Sequence, residues 1–280
     1  MQIDWNNLGE SITEQVRQAL LEDVGTGDVT ANLIDAQQTS NAKVITREAG
    51  VLCGQAWFDE TFKQVNSDIE IDWQVIEGSL IKAEQTLCTI TGQTRALLTA
   101  ERAALNYLQT LAGTATTTKQ YVDKLEGTGV QILDTRKTIP GLRLAQKYAV
   151  HCGGGKNHRI GLYDMILIKE NHIASCGSIT AALQKAQTVN NEIEIEIEVE
   201  NLDELDQALN AGAKRVLLDN FSIETLKQAV SLNQQRAKLE VSGNVTLDNI
   251  RDYALTGIDY ISSGAITKHV RALDLSMQFV

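Results

Sequence analysis

The chain has 280 residues, 43 % hydrophobic and 22 % charged, the balance of an ordinary globular protein with ample material for a core. Its 25 Lys and Arg against 36 Asp and Glu leave a net charge of −11, which argues against nucleic acid as a partner, because phosphate backbones need a basic face. No apolar run approaches the roughly 18–20 residues of a membrane helix, the start MQIDWNNLGES lacks the basic and apolar regions of a secretory leader, and the four cysteines (Cys53, Cys88, Cys152, Cys176) form no CxxC pair; neither zinc nor a disulfide framework is expected, and a reducing cytoplasm is the simplest home.

Residues 9–25 predict an amphipathic helix, with Ile12, Val16, Ala19 and Leu20 on one face and Gly25 placed to end it. From about 42 to 91 the pattern is strand-like, in AKVITR, VLCG, IEIDWQV and TLCTITG, with one helical interruption, WFDETFKQV (57–65). A long helix is expected from about Thr99 to Leu125, and the small residues of its middle, AGTATTT, imply close packing or a bend. Six apolar runs then end on charged or small polar residues, each followed by a helical stretch: QILDTRK (131–137), DMILIKE (164–170), IEIEIEVE (193–200), RVLLDN (215–220), LEVSGN (239–244) and YISSGA (260–265). Such alternation predicts a parallel sheet, here an incomplete (β/α) barrel, since six units fall short of eight. Pro140, the only proline, sits where a helix could begin, and Asn201 with Glu204 reads as a capping box. The tail LDLSMQF alternates strictly, as an antiparallel edge strand returning to the N-terminal region would. The expected fold class is therefore α/β, with two domains: residues 1–112 plus 271–280 as an α/β sandwich that takes the C-terminal strand, and 113–270 as the incomplete barrel.

Barrel chemistry sits at the C-terminal ends of the strands. That rim would receive Arg136, Lys137, Lys169, Glu198, Asp219, Ser242–Gly243–Asn244 and Ser263–Gly264–Ala265. Two carboxylates, several cations and two glycine turns point to a metal-assisted reaction on phosphorylated, anionic substrates. Arg136 and Lys137 precede a helix start, where arginine's planar fork suits carboxylate or phosphate and lysine acts as a movable charge. CGGGKNHRIG (152–161) matches no nucleotide fingerprint, and its His158 and Arg159 are weak signals alone. Lys169 can form a Schiff base, bind an anion or pair with a carboxylate. Glu194, Glu196, Glu198 and Glu200 share one side of their strand, and the last of them should reach the rim. Glu198 and Asp219 lie on successive strands, close enough to share Mg²⁺. The two glycine turns suit a phosphate, which barrels hold at the loops after their last strands. A Schiff-base lyase built on Lys169, a barrel that only senses a phosphorylated metabolite, and a related transferase acting on another ring acid stay open on these grounds.

Taken together, the segments LEDVGTGDVT (21–30), ITREAGVLCG (45–54), LLTAERAALNYLQTLAGTAT (97–116), DTRKTIPGLR (134–143), GGGKNHRIGLYD (153–164), LIKENHI (167–173), EIEVEN (196–201), LLDNF (217–221), VSGNVT (241–246) and YISSGAITKH (260–269) resemble the quinolinate phosphoribosyltransferases, the decarboxylating nicotinate-nucleotide pyrophosphorylases of NAD synthesis. The resemblance spans almost the whole chain. It implies an N-terminal α/β sandwich joined to an incomplete barrel, assembled as a homodimer or a multiple of dimers. It implies that Arg136, His158, Arg159 and Lys169 hold the carboxylates of quinolinate, and that Arg102 enters the neighbouring subunit's site. Thr135, Lys137, Glu198, Asp219, Ser242, Gly243, Asn244, Ser263, Gly264 and Ala265 would hold phosphoribosyl pyrophosphate, with Glu198 and Asp219 on its Mg²⁺. Lys137, Lys169, Glu198 and Asp219 would be the catalytic set.

Overall fold

The computed structural model describes Trp5, residues 8–190 and residues 192–280. The reading of the extreme N-terminal segment falls mostly outside these residues. Two compact units emerge, one of residues 1–119, 139–154 and 269–280, the other of residues 120–138 and 155–268.

In the first unit, α1 (Gly9–Val24) buries Ile12 and Val16 and ends at Gly25, whose positive φ stops it. A four-stranded antiparallel sheet follows, built from β1 (Thr39–Thr46), β3 (Glu70–Trp73), β5 (Thr86–Gln93) and β12 (Leu275–Phe279) in the order β12-β1-β5-β3. The C-terminal strand does return, pairing Ala42 with Phe279 and Thr46 with Leu275 at the sheet edge. VLCG contributes a single strand residue, Val51, which with Gly50 forms β2 (Gly50–Val51) and pairs with β4 (Leu80–Ile81). Its Leu52 and Cys53 instead lead, fully buried, into α2 (Gln55–Val65). Val44, Ile90 and Leu87 of the sheet, Phe58 and Phe62 of α2, and Leu97, Leu105 and Leu108 of α3 (Thr94–Leu125) form one core. The small-residue stretch of α3 is a contact surface: a Cβ on Gly113 would overlap the Arg271 carbonyl. Thr114 and Thr118 return their hydroxyls to carbonyls four residues back. Pro140 does not begin a helix. It occupies the second position of a turn closed by Leu142 N–H on Ile139 C=O, with Gly141 at φ 80° in the third. Proline's fixed φ and glycine's positive φ favour that turn, so α4 (Arg143–Cys152) starts three residues later.

In the second unit the six runs are six parallel strands: β6 (Gln131–Leu133), β7 (Ile166–Ile168), β8 (Ile195–Val199), β9 (Arg215–Asp219), β10 (Lys238–Ser242) and β11 (Tyr260–Ser262), in the order β6-β11-β10-β9-β8-β7. The sheet curls into a barrel that lacks a pairing between β6 and β7. There Lys156 makes a single parallel bridge to Leu133. Between the strands run α5 (Glu170–Cys176), α6 (Ile179–Val189), α7 (Leu202–Asn210), α8 (Ile223–Asn233), α9 (Ile250–Ala254) and α10 (Ala265–Lys268). Asn201 caps α7 as its spacing predicts, its side chain accepting from Glu204 N–H at 2.9 Å. By period-two alternation Ile197, Val199, Val216, Leu218, Leu239, Val241 and Ile261 turn to one side of the sheet, and all are buried. Glu196, Arg215, Glu240 and Tyr260 turn to the other, into the barrel.

Candidate active site

The barrel interior is charged at its centre. Arg215, the first residue of β9, reaches Glu196 on β8 at 2.9 Å and Glu240 on β10 at 2.7 Å, with Glu194 at 3.2 Å toward solvent. Its guanidinium lies 4.9 Å from the Tyr260 ring centre, a cation–π contact from β11. Both carboxyls are fully buried, and burial pushes both up. Glu240 rises to about 7 because it is buried beside Glu196, against the opposing pull of His158 and Arg215. Two buried carboxyls against one guanidinium disfavour each other's charge, which is why Glu240 holds its proton to higher pH than an ordinary carboxyl.

His158 links this network to the rim. Its Nε2 lies 2.8 Å from Glu196 and its Nδ1 accepts the Arg159 backbone N–H at 2.7 Å. With Nδ1 as acceptor, Nε2 carries the hydrogen and donates to the carboxylate. His158, Glu196 and Glu240 also bring three ligand atoms within 4.8 Å of one another, a buried grouping able to hold a divalent metal. Arg215 already supplies positive charge there.

The glycine-rich loop is fixed to β6 by Asp134, which is fully buried and accepts from Asn157 Nδ2 at 2.6 Å and from His158 N–H at 2.9 Å. Backbone bonds between Lys156 and both Ile132 and Asp134 hold the same segment as a rudimentary strand. Asp164 orders the far side, accepting the N–H groups of Ile160 and Gly161. Arg159 is thereby held close to Arg136. Burial, then the Arg136 charge, lowers its pKa against the attraction of Asp164 and Glu196. Like charges in partly desolvated surroundings disfavour each other, and an anion beside them offsets that cost.

Across the rim, Lys169 follows β7 and its Nζ lies 2.5 Å from Glu198 Oε2, the carboxylate ending the inward face of β8. Pairing with a carboxylate, one of the roles open to Lys169, is present here. The four strand glutamates are graded: Glu194 is half-exposed, Glu196 is buried, and Glu198 reaches the top. Asp219 ends β9 and accepts from Ser242 Oγ and Asn220 Nδ2, both at 2.8 Å. Gly243 sits at φ 95°, and a Cβ there would overlap the Asn220 side-chain oxygen. Asn220 and Asn244 are themselves left-handed, at φ 57° and 54°. The last glycine turn closes on the first motif: a Cβ on Gly264 would meet Lys137 Cδ at 2.8 Å and Thr135 Oγ1 at 3.3 Å. Thr267 donates to the Lys137 carbonyl at 2.8 Å, and Thr135 Oγ1 accepts the Lys137 N–H at 3.0 Å. Ser263 Oγ accepts from Ala265 N–H, opening α10.

Thr135, Lys137 and Gly264 are thus one neighbourhood, Asp219, Ser242, Gly243 and Asn244 a second, Lys169 with Glu198 a third, and Arg136 with Arg159 a fourth, all at the C-terminal ends of the strands. Arg102 belongs to α3 in the first unit, exposed and beside Glu101. A cleft of about 420 Å³ next to Glu198 is lined also by Glu170, Glu200 and Glu204, so that side repels anions. Arg136, Lys137 and Arg159 place positive charge elsewhere on the rim. Asp134, Asp164, Glu196, Arg215 and Glu240 were not singled out as site residues from sequence. The available signal was a charged residue at an inward position inside three consecutive apolar strands.

The chain matches the family model "Quinolinate phosphoribosyl transferase, N-terminal domain" over residues 28–112 and the corresponding C-terminal domain model over residues 114–278. It is 40 % identical over 258 residues to the probable nicotinate-nucleotide pyrophosphorylase [carboxylating] of Bacillus subtilis (strain 168), covering 92 % of this chain and 89 % of that protein. To the nicotinate-nucleotide pyrophosphorylase [carboxylating] of Mycobacterium leprae (strain TN) it is 39 % identical over 277 residues, covering 96 % and 97 %. The solved structure of the nicotinate-nucleotide pyrophosphorylase from Francisella tularensis superposes with a TM-score of 0.95 at 48 % identity, over 97 % of each chain.

Proposed function

The chain belongs to the quinolinate phosphoribosyltransferase family, and on that premise we propose which residues of the rim do which part of the work. The protein is a pentosyltransferase of NAD biosynthesis. It transfers the phosphoribosyl group of phosphoribosyl pyrophosphate to quinolinate with decarboxylation, giving nicotinate mononucleotide, CO₂ and pyrophosphate.

Arg136 and Arg159, joined by Lys169, receive the two carboxylates of quinolinate. What supports this is the proximity of the two guanidiniums: a dianion relieves a repulsion that a monoanion only halves. His158 acts on the ring acid through Arg159, since its own nitrogens are engaged by Glu196 and by the Arg159 N–H. The turns Ser242–Gly243–Asn244 and Ser263–Gly264–Ala265 take the phosphoribosyl phosphate, and Thr135 and Lys137 the pyrophosphate. Glu198 and Asp219 fit a hard cation: both are carboxylates at neighbouring strand ends, and the hydrogen bonds on Asp219 leave each oxygen a further lone pair. Mg²⁺ held there would neutralise charge on the departing pyrophosphate.

The ring nitrogen of quinolinate attacks the ribose C1 carbon as the C1–O bond to pyrophosphate breaks, its electron pair leaving with the pyrophosphate. The ring nitrogen is then cationic. The C2 carboxylate departs as CO₂, its bonding pair remains on C2 beside N⁺, and a proton closes the sequence. Lys137 stabilises the leaving pyrophosphate, while Arg136, Arg159 and Lys169 position the ring. We further propose a cytoplasmic homodimer, or a multiple of dimers, in which Arg102 of one subunit completes the site of the other. Among the described residues no helix is long and apolar enough to cross a membrane.

The purified protein with quinolinate, phosphoribosyl pyrophosphate and Mg²⁺ should yield nicotinate mononucleotide, CO₂ and pyrophosphate in equal amounts, with little turnover of nicotinate. A binding group left empty by the missing carboxylate keeps a partly desolvated charge unpaired, so nicotinate should be disfavoured by several orders of magnitude. Comparable turnover of the two ring acids would sink the assignment.

A further inference from the structure

Cys53 and Cys152 are far apart in sequence, yet their side chains meet inside the first unit. Cys53 is fully buried where β2 leads into α2, and Cys152 is the last residue of α4. The two thiols lie beside each other, with the Glu77 carboxyl next to Cys53. Glu77 is itself fixed, accepting from Gly54 N–H at 2.8 Å and Gln55 N–H at 3.3 Å at the start of α2, with Tyr148 beside it. The sulfurs of Cys53 and Cys152 and one Glu77 oxygen all lie within 4.8 Å of one another. The expectation of no zinc site rested on the absence of a CxxC pair, a local pattern, whereas this grouping is assembled by packing.

We propose that Cys53, Cys152 and Glu77 form a binding site for a thiophilic divalent cation of the Zn²⁺ class, separate from the transferase rim. Two sulfurs and one carboxylate oxygen are a donor set that tetrahedral Zn²⁺ accepts and Mg²⁺ does not. Binding replaces two S–H protons by two metal–sulfur bonds and releases those protons to solvent. Three negative ligands around a dication leave one net negative charge, facing the N-terminal amides of α2 that already hold Glu77. Tyr148 lies beside the carboxylate, in place to serve as the kind of outer partner that ligating carboxylates keep. Cys152 and Glu77 are only partly buried, which supplies an entry path that Cys53 lacks. The other buried grouping able to hold a metal, His158 with Glu196 and Glu240, has its charge balanced by Arg215. The thiol site has no such cation among its ligating groups.

The test is titration of the reduced full-length protein with Zn²⁺ against a chromophoric chelator, and with Cd²⁺ followed by sulfur-to-metal charge-transfer absorption. Excess Mg²⁺ is kept present to occupy hard carboxylate sites. One equivalent should bind more tightly than about 1 µM, with the Cd²⁺ band of two thiolates. Cys53→Ala and Cys152→Ser should each weaken binding at least about a hundredfold, the effect of losing a ligand or its close support. Cys176→Ser should leave it unchanged. Cys152→Ser is nearly isosteric and partly exposed, so it reports on the site even if Cys53→Ala fails to fold. Absence of stoichiometric Zn²⁺ binding, or equal binding in wild type and Cys152→Ser, would overturn the proposal.

Discussion

Lys169 Nζ and Glu198 Oε2 stand 2.5 Å apart across the ends of β7 and β8, so a cation proposed for the ring acid is neutralised by a carboxylate proposed for the metal. Each is the other's placeholder. On the proposed roles, quinolinate drawing Lys169 away would free the Glu198 carboxylate for the cation, linking the two substrates through one ion pair. Lys169→Ala should therefore weaken quinolinate binding by at least tenfold while leaving Mg²⁺-dependent binding of phosphoribosyl pyrophosphate intact or tighter. Calorimetry of the variant with each substrate alone checks this. Equal weakening of both would show that the pair is only structural.

Asp219→Ala should act on the other substrate. Its carboxylate holds Ser242 and Asn220 and faces the proposed cation site, so phosphoribosyl pyrophosphate should bind about a hundredfold more weakly, a loss of about 3 kcal/mol. Arg159→Ala should instead cost affinity for quinolinate by a similar factor and leave phosphoribosyl pyrophosphate nearly untouched. If Asp219→Ala left metal-dependent binding of phosphoribosyl pyrophosphate intact, the metal role of Asp219 would have to be dropped.

Much of this was legible in the chain because parallel strands buried against helices read as short apolar runs, and the residue ending each run marks the rim. Lys169, Glu198 and Asp219 could be placed on successive strands from that pattern alone. Arg215 and Glu240 escaped notice for the same reason: they open or interrupt apolar runs, where a charge reads as a boundary or an exception. Their meaning depends on register, which sets Glu240 opposite Leu217 and Lys238 opposite Arg215 on the adjacent strand. β4 was hidden by its two-residue length. The meeting of Cys53 with Cys152 depends on packing between α4 and the segment before α2, for which no local pattern exists.

The interior network predicts a pH dependence of stability. Glu240 ionises near pH 7 in the folded protein, against 4.5 as the ordinary value, so the native state keeps a proton that the unfolded chain has already lost. Its contribution is complete below pH about 4.5 and disappears as pH rises through about 7, so stability should fall by about 1–3 kcal/mol across that window. Glu240→Gln, permanently neutral and of similar shape, should flatten the change. Urea midpoints at several pH values for both proteins measure it, and an unchanged slope in Glu240→Gln would assign the dependence to other groups.

Gly243→Ala should fold less stably by about 1–3 kcal/mol, because a side chain at φ 95° is strained and its Cβ overlaps the Asn220 oxygen. The damage should extend to function, since Asn220 also holds Asp219. Adding Asn220→Gly removes the overlapping oxygen and keeps a residue at ease with φ 57°, so thermal stability should return in part. Phosphoribosyl pyrophosphate affinity should not recover with it, because Asp219 would still lack its partner. Recovery of both, measured by thermal melts and calorimetry, would mean that Asn220 has no part in holding Asp219.

Arg102 provides the test of assembly. It is exposed on α3, within a stretch where Ala100, Ala103, Ala104 and Leu105 are buried, so its charge is presented outward by a rigid helix. Glu101 beside it is itself pushed up by burial, with Arg102 pulling the other way. An ordinary surface arginine so placed would contribute at most about 1 kcal/mol through that neighbour and nothing to turnover. A residue that completes the partner's site would instead be needed for activity and dispensable for folding. Arg102→Ala should thus remain folded and dimeric while losing at least about a hundredfold in kcat/KM, a transition-state cost of about 3 kcal/mol. Mixed under conditions that allow subunit exchange, inactive Arg102→Ala and inactive Lys169→Ala should regain activity, because each heterodimer carries one site with both residues intact. With exchange complete, half of the dimers are heterodimers and one of their two sites is whole, so recovery should approach about a quarter of wild type, in line with the isologous symmetry of a twofold dimer. Heterodimers verified by mass that stay inactive would place Arg102 outside the neighbouring site.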